Sequence, residues 1–219
     1  MYLSRLILNP RSRQVQREIA DAYQMHRTIL RAFAATLPDA SERVLFRLEI
    51  DPRSGVPVVL VQSQTPPDWN WLTAPESTYL LHEVPDNPAV KTFDLKLSAD
   101  QVLSFRLRAN PTIKKSAADK ENNNGKRLGL FREEDQTAWL ERKLLSAGCS
   151  VLQVRVSGQD QVNGWRSSDD QPRKLTFHSV QFDGLLRVDD PDRLMKAIIR
   201  GIGSAKGFGF GLLSLARPA

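Results

Sequence analysis

Cysteine is almost missing from this chain: Cys149 stands alone among 219 residues. No intramolecular disulfide is possible, so a reducing cytoplasm is the expected compartment. Cys149 itself is expected to be a small buried hydrophobe at the start of a strand. Long apolar runs are missing too, and none approaches the length of a membrane span. The first residues, Met1-Tyr-Leu-Ser-Arg-Leu-Ile-Leu, read as a strand rather than a signal peptide, so no membrane partner is expected. Histidine is scarce, at positions 26, 82 and 178, and none has a cysteine or acidic neighbour at a metal-ligand spacing. No metal or other cofactor is therefore expected. Aromatic residues make up 7% of the chain and form no RNP-like strand, which argues against base stacking on an open sheet face. Acidic residues are outnumbered, 25 to 31, which leaves a net charge of +6 and a pI near 9.7. With no long basic amphipathic helix, that balance favours RNA or DNA over an anionic membrane.

What the chain does have is glycine in one place. In Gly201-Ile-Gly-Ser-Ala-Lys-Gly-Phe-Gly-Phe-Gly-Leu-Leu213, glycines stand at 201, 203, 207, 209 and 211 around a single lysine, Lys206. Glycine loses more backbone entropy on folding than any other residue, so such a cluster implies unusual dihedrals or close backbone approach. Neither the dinucleotide-binding spacing G-x-G-x-x-G nor the P-loop spacing is present. The polarity is also reversed, with a helix before the glycines and a strand after them, so the helix dipole there is unfavourable for an anion. Attraction for phosphate would have to come from Lys206 and loop amides. The plainer reading is a helix C-cap followed by a glycine-softened strand.

The rest of the chain alternates elements. Residues 2–8 read as a strand ending at Asn9-Pro10, followed by a polar, arginine-bearing stretch from Arg11 to Asp21. Met25, Ile29, Ala32 and Phe33 then mark the buried face of a helix that stops before Pro38. Arg43 to Asp51 and Val56 to Gln62 form a hairpin around Asp51-Pro-Arg-Ser-Gly55, and Gln101 to Ala109 is a further strand. Residues 66–94, with two tryptophans and several prolines, read as irregular cover. Lys114 to Arg127 is polar and basic and reads as a linker. After it come a short strand at Arg127 to Phe131, a helix from Glu133 to Ala147 ended by Gly148, and a strand from Ser150 to Val156. A polar hairpin tip (Ser157 to Pro172), a returning strand to Val188 and a helix opened by Asp190-Pro191 follow. The last strand runs from Phe208 to Leu215. This order, βαββ(α)β then βαββαβ, predicts an α+β fold of two tandem ferredoxin-like, RRM-like domains. The expected limits are 1–112 and 127–219, joined by a basic linker at 113–126.

Of the histidines, His82 and His178 read as ordinary loop or strand residues. His26 lies at the border of the Met25/Phe33 face and a face carrying Arg27 and Arg31, with Tyr23 one helical turn before it. A histidine beside a tyrosine and two arginines suits acid–base work at a phosphodiester. An edge histidine beside a solvated basic face is the simpler alternative. Arg106 and Arg108, interleaved in their strand, and Arg155, Arg166, Arg173 and Lys174, in or beside the hairpin tip, are candidates for RNA backbone contact. The tip is expected to enter a narrow A-form groove by shape and charge.

Four segments occur in order: Tyr23-Gln-Met-His26-Arg27, Phe105-Arg-Leu-Arg-Ala-Asn-Pro111, Ala138-Trp-Leu-Glu-Arg-Lys143 and the glycine stretch through Leu215. Together they resemble the CasE family, the CRISPR repeat-processing endoribonucleases of type I-E systems. The resemblance implies metal-independent cutting of the repeat stem-loop of precursor CRISPR RNA. The substrate's 2′-OH would attack the adjacent phosphate, giving a 2′,3′-cyclic phosphate and a 5′-OH. It implies retention of the product among the other subunits of the Cascade complex. On this chain the family's histidine and tyrosine fall on His26 and Tyr23, and its glycine motif on Gly203, Lys206, Gly207, Gly209 and Gly211. Two other readings compete: a non-catalytic subunit that binds an RNA hairpin, and a ferredoxin-like scaffold whose charge only aids assembly. Tyr23 and His26 favour the enzyme over the first, and the spread of arginines favours RNA over the second.

Overall fold

Alternating apolar residues build two four-stranded antiparallel sheets. The computed structural model describes residues 1–33, 43–114, 127–168 and 171–218, and of residues 166–168 and 171–173 the backbone alone. The first sheet contains β1 (Tyr2–Ile7), β2 (Leu45–Ile50), β3 (Pro57–Ser63) and β4 (Ala89–Thr92), in the order β2-β3-β1-β4. Helices α1 (Arg13–Ala20) and α2 (Ala22–Leu30) lie between β1 and β2 in the chain. Their apolar residues Val15, Met25 and Ile29 join Leu6, Phe46 and Val61 in one buried core.

The second sheet begins with β5 (Val102–Ala109). A two-stranded ribbon of β6 (Thr112–Lys114) and β7 (Arg127–Gly129) follows, then α3 (Glu133–Ser146), β8 (Cys149–Ser168), β9 (Gln171–Val188), α4 (Pro191–Arg200) and β10 (Leu213–Ala216). The strand order is β10-β5-β9-β8. Both sheets therefore place their first strand in the centre, beside the third and fourth, which is the ferredoxin-like order. The fold is two ferredoxin-like units in tandem. Leu107, Trp139, Leu140, Phe182, Leu186 and Ile198 belong to the second core. Cys149 opens β8 fully buried, with its thiol pushed up to about 12 mainly by desolvation. Asp190 caps α4 by accepting from Arg193 N at 3.0 Å, with Pro191 following it. Among the described residues no helix is long and apolar enough to cross a membrane.

Several elements depart from expectation. Val102–Ala109 is a strand, but it pairs with β9 and β10 in the second sheet rather than closing the first. Its alternation shows which residues point inward and carries nothing about its partner. The first sheet is closed instead by β4, whose residues are nearly all exposed and so lack the apolar alternation that marks a strand. Among the described residues Arg127–Gly129 pairs only with β6. The stretch after Arg11 contains α1, whose inward positions are Val15 and Glu18. Glu18 stays buried because Gln14 Nε2, Thr28 Oγ1 and Tyr79 Oη all donate to it, at 2.8, 2.6 and 2.6 Å. The polar segment expected as a loose hairpin tip is strand through Ser168. Pairing of β5 with β9 ends at Ala109 and Val180, so the distal halves of β8 and β9 project as a two-stranded arm. Of the basic linker, residues 115–126 lie outside the described residues.

Candidate active site

Tyr23 and His26 owe their placement to the start of α2. Asp21 is its N-cap, in extended conformation, and its Oδ1 accepts from Tyr23 N at 3.0 Å. The same oxygen accepts from Trp165 N of β8 at 3.2 Å, so one carboxylate ties the helix to the arm. Met25 and Ile29 face the core. Tyr23 and His26, three residues apart, fall on the next strip of helix surface, and both are half-buried.

Opposite that strip runs the glycine-rich loop, which spans the seam between the units. It leaves α4 at Gly201, is closed by Ile202 N donating to Gly211 O at 2.9 Å, and is tied to β5 by Gly211 N donating to Arg108 O at 2.9 Å. A short 3-10 turn at Lys206–Phe208 forms its tip. Gly207 lies flat against the His26 imidazole: a Cβ there would sit 3.3 Å from Nε2 and 3.5 Å from Cδ2. Only glycine allows that approach without displacing the ring. Gly209 has φ +83°, and a Cβ on it would meet the Phe46 ring at 3.1 Å. Gly203 lies against Trp139, and Gly211 against the backbone of Ile202. Phe46, on β2, stacks with His26, ring centroids 6.2 Å apart and planes 18° from parallel. Phe208 packs between Tyr23 and Phe177, at 6.3 and 4.4 Å. Gly164 of the arm covers it, and a Cβ there would reach the Phe208 ring at 2.7 Å.

The result is an imidazole packed by a phenyl ring of the first unit and by bare backbone of the second. Burial lowers the His26 pKa below the ordinary histidine value. A neutral ring is therefore favoured near neutral pH, which is the form that accepts a proton. Its Nδ1 is buried without a hydrogen-bond partner among the described residues. His178 shares only the direction of that shift; it packs on Phe131 at 4.8 Å and meets Gln136 Nε2 at 3.2 Å. His82 is exposed and bonded to Ser77 O.

The other candidates divide into three groups. Arg27 and Arg31 are exposed and line the groove between α1 and α2 with Gln14, Arg17 and Gln24, the Arg31 guanidinium lying 4.0 Å over the Trp71 ring. Arg106 and Arg108 are engaged by protein groups, Arg106 while still exposed and Arg108 half-buried. Arg106 pairs with Asp183 at 2.6 Å and Glu49 at 3.5 Å. Arg108 donates to Ser179 Oγ at 2.7 Å and to Leu48 O at 3.0 Å. Arg155 is exposed on β8, and Lys174 lies over Trp165 on the arm at 6.0 Å. The side chains of Arg166 and Arg173 lie outside the described residues. Lys206 folds back along its own loop, its Cε beside Gly201 and its Cγ beside Gly211. Burial lowers its pKa first, and Arg43, Lys143 and Arg127 add to the shift.

Three contributors escaped the sequence reading. Asp21 carried a signal, a cap residue just before a helix. Phe46 and Arg47 carried none, because their roles depend on the other unit. Arg47 is buried and donates to Glu49 at 2.7 Å, to Leu212 O at 3.2 Å and to Arg106 O at 3.4 Å. With Arg108, and with Gln62 donating to Ile198 O at 2.9 Å, it holds the units together.

Two ferredoxin-like units joined along such a seam, with a half-buried histidine of one facing a glycine-rich loop of the other, define a class of tandem ferredoxin-like proteins. The chain belongs to the CRISPR associated protein family, which it matches over residues 1–217. It is 38% identical over 227 residues to the CRISPR-associated endoribonuclease Cse3 of Thermus thermophilus, covering 99% of this chain and 100% of that protein. It is 33% identical over 222 residues to the Cascade subunit CasE of Escherichia coli, covering 99% of each. Among solved structures it resembles Cse3 bound to a 19-nucleotide RNA, with a TM-score of 0.83 and 36% identity over 99% of this chain and all of that one.

Proposed function

We propose that this protein is an endoribonuclease that cuts the repeat stem-loop of precursor CRISPR RNA and keeps the product as a Cascade subunit. The observation that carries this reading is the desolvated His26 imidazole set against Gly207 in a chain so similar to Cse3 and CasE. His26 takes the proton of the substrate's 2′-OH, and the freed oxygen attacks the adjacent phosphorus in line. The bond to the 5′-oxygen breaks, leaving a 2′,3′-cyclic phosphate on one product and a 5′-OH on the other. Tyr23, on the same strip of α2, orients the reacting groups and shares the proton that the leaving oxygen takes up. Such acid–base catalysis is worth roughly 10²–10⁴ in rate.

The division of the chain is part of this reading. With β5 paired in the second sheet, a boundary between β4 and β5 suits the pairing better than one at 113–126. The cytoplasm, where precursor RNA is made, is the compartment this function needs.

The test is single-turnover cleavage of a labelled repeat hairpin in EDTA. Wild type is expected to cut at the base of the stem, and His26→Ala to lose cutting by about 10²-fold or more while still binding. Binding without cutting by wild type would favour the non-catalytic hairpin-binding subunit. Equal cutting by the variant would remove His26 from the chemistry.

A further inference from the structure

On its other side the glycine loop walls a second cavity. This cavity, of about 290 Å³, is lined by Lys114, Arg127, Arg142 and Lys143, with Thr112, Trp139, Gly203 and Ser204 completing its walls. The four cations come from β6, β7 and the last turns of α3, three elements that have no other reason to gather charge. No carboxylate lines the cavity, and none of the four has an ion pair among the described residues. Arg43 and Lys206 add to the same positive field, since Arg43, Lys143 and Arg127 each depress the Lys206 pKa. Like charges brought together raise the energy of the folded protein, and a bound anion lowers that cost. Guanidinium forks, ammonium groups and the Thr112 hydroxyl are the donors a phosphate takes, while the Ser204 hydroxyl donates to Asn110 O at 3.4 Å.

We infer that this cavity is a phosphate subsite for the bound RNA, gripping the backbone a few nucleotides from the phosphate that is cut. The inference rests on the endoribonuclease reading and adds Arg142 and Lys143 to it. Position favours RNA over an acidic protein surface, because one loop serves both places. Gly203 and Ser204 wall the cavity, and Gly207 touches His26. Four residues of extended chain span at most about 14 Å. One nucleic-acid strand covers that distance in about four nucleotides, at roughly 3.4 Å each. A strand whose scissile phosphate lies at His26 therefore has other phosphates within reach of the cavity. The loop acts as a spacer that fixes one phosphate relative to another.

The test uses the full chain in a His26→Ala background, so that the labelled repeat hairpin is bound and not consumed. Adding Arg142→Ala and Lys143→Ala, both exposed, is expected to weaken binding at least tenfold. The slope of log affinity against log salt should fall by about one to two, as each lost phosphate contact removes roughly 0.9. Lys196→Ala, which removes one exposed charge from α4, should leave affinity and slope as they were. With His26 restored, cutting by the Arg142→Ala/Lys143→Ala protein at subsaturating concentration should fall in step with the lost affinity. Unchanged affinity and slope would overturn the subsite while leaving the endoribonuclease reading intact. So would a variant that binds RNA normally but no longer assembles with other Cascade subunits, which would give the cavity to an acidic protein surface. A lower saturated rate with unchanged binding would also overturn it. A parent protein that binds no hairpin would end both readings.

Discussion

The two ferredoxin-like units share a strand order and divide the work. The first unit keeps short strands, of six and seven residues in β2 and β3. It contributes the proposed acid–base residues on α2. The second stretches the equivalent hairpin to twenty and eighteen residues, and supplies the glycine loop, the arm and the cluster of four cations. Neither unit holds a site alone. His26 packs with Phe46 of its own unit and with Gly207 of the other. On the proposed function, the first unit carries the chemistry and the second the grip on RNA, and the two meet at the seam.

Breaking the seam should have the largest effect. Arg47→Met removes a buried cation whose partners lie in both units, and is expected to cost about 3 kcal/mol, near the low end for a broken buried pair because Glu49 keeps Arg106. Chemical denaturation would register it, and loss of hairpin cutting should follow. Next comes the loop itself. Gly209→Val forces a β-branched residue into φ +83° with its Cβ against Phe46, for a loss of about 1–3 kcal/mol in the same measurement. Asp21→Ala should cost about 1 kcal/mol of helix capping. It should also free the arm from α2, so Asp21→Asn, which keeps an acceptor, should restore most of both stability and cutting.

The smallest expected effect is on pH dependence. Burial holds the folded-state pKa of His26 below its unfolded value, so the folded protein favours the neutral ring. Stability is then full above the unfolded pKa, near 6.5, and declines as pH falls from there through the folded value. His26→Asn should flatten that decline, seen as melting temperature against pH. It should not abolish the decline, because the His178 pKa is lowered in the same direction.

The tandem fold and the Tyr23/His26 pair were legible because each depends on local spacing: alternation within strands, and three residues along a helix. What depended on distant partners was not. Arg106 and Arg108 point away from their own core, which reads as solvent exposure along a single strand. In the folded chain that face meets Glu49 and Leu48 O of the first unit. Helix α1 was hidden because an inward position carries Glu18, whose three donors include Tyr79 from much further along the chain. The glycines announced close packing but not its object, since His26 and Gly207 are 181 positions apart in the sequence.

The contact between His26 and Gly207 is where the shared site stands or falls, and Gly207→Val tests it directly. Gly207 has no left-handed φ, so valine is tolerated by the backbone, yet its side chain must displace the imidazole or the loop tip. Single-turnover cleavage of the repeat hairpin, measured beside hairpin affinity and melting temperature, reads the outcome. A site built across the two units predicts at least a tenfold loss of cutting rate, with folding and RNA affinity nearly unchanged. Wild-type cutting by a folded Gly207→Val protein would show that the second unit's loop is no part of the place where the RNA is cut.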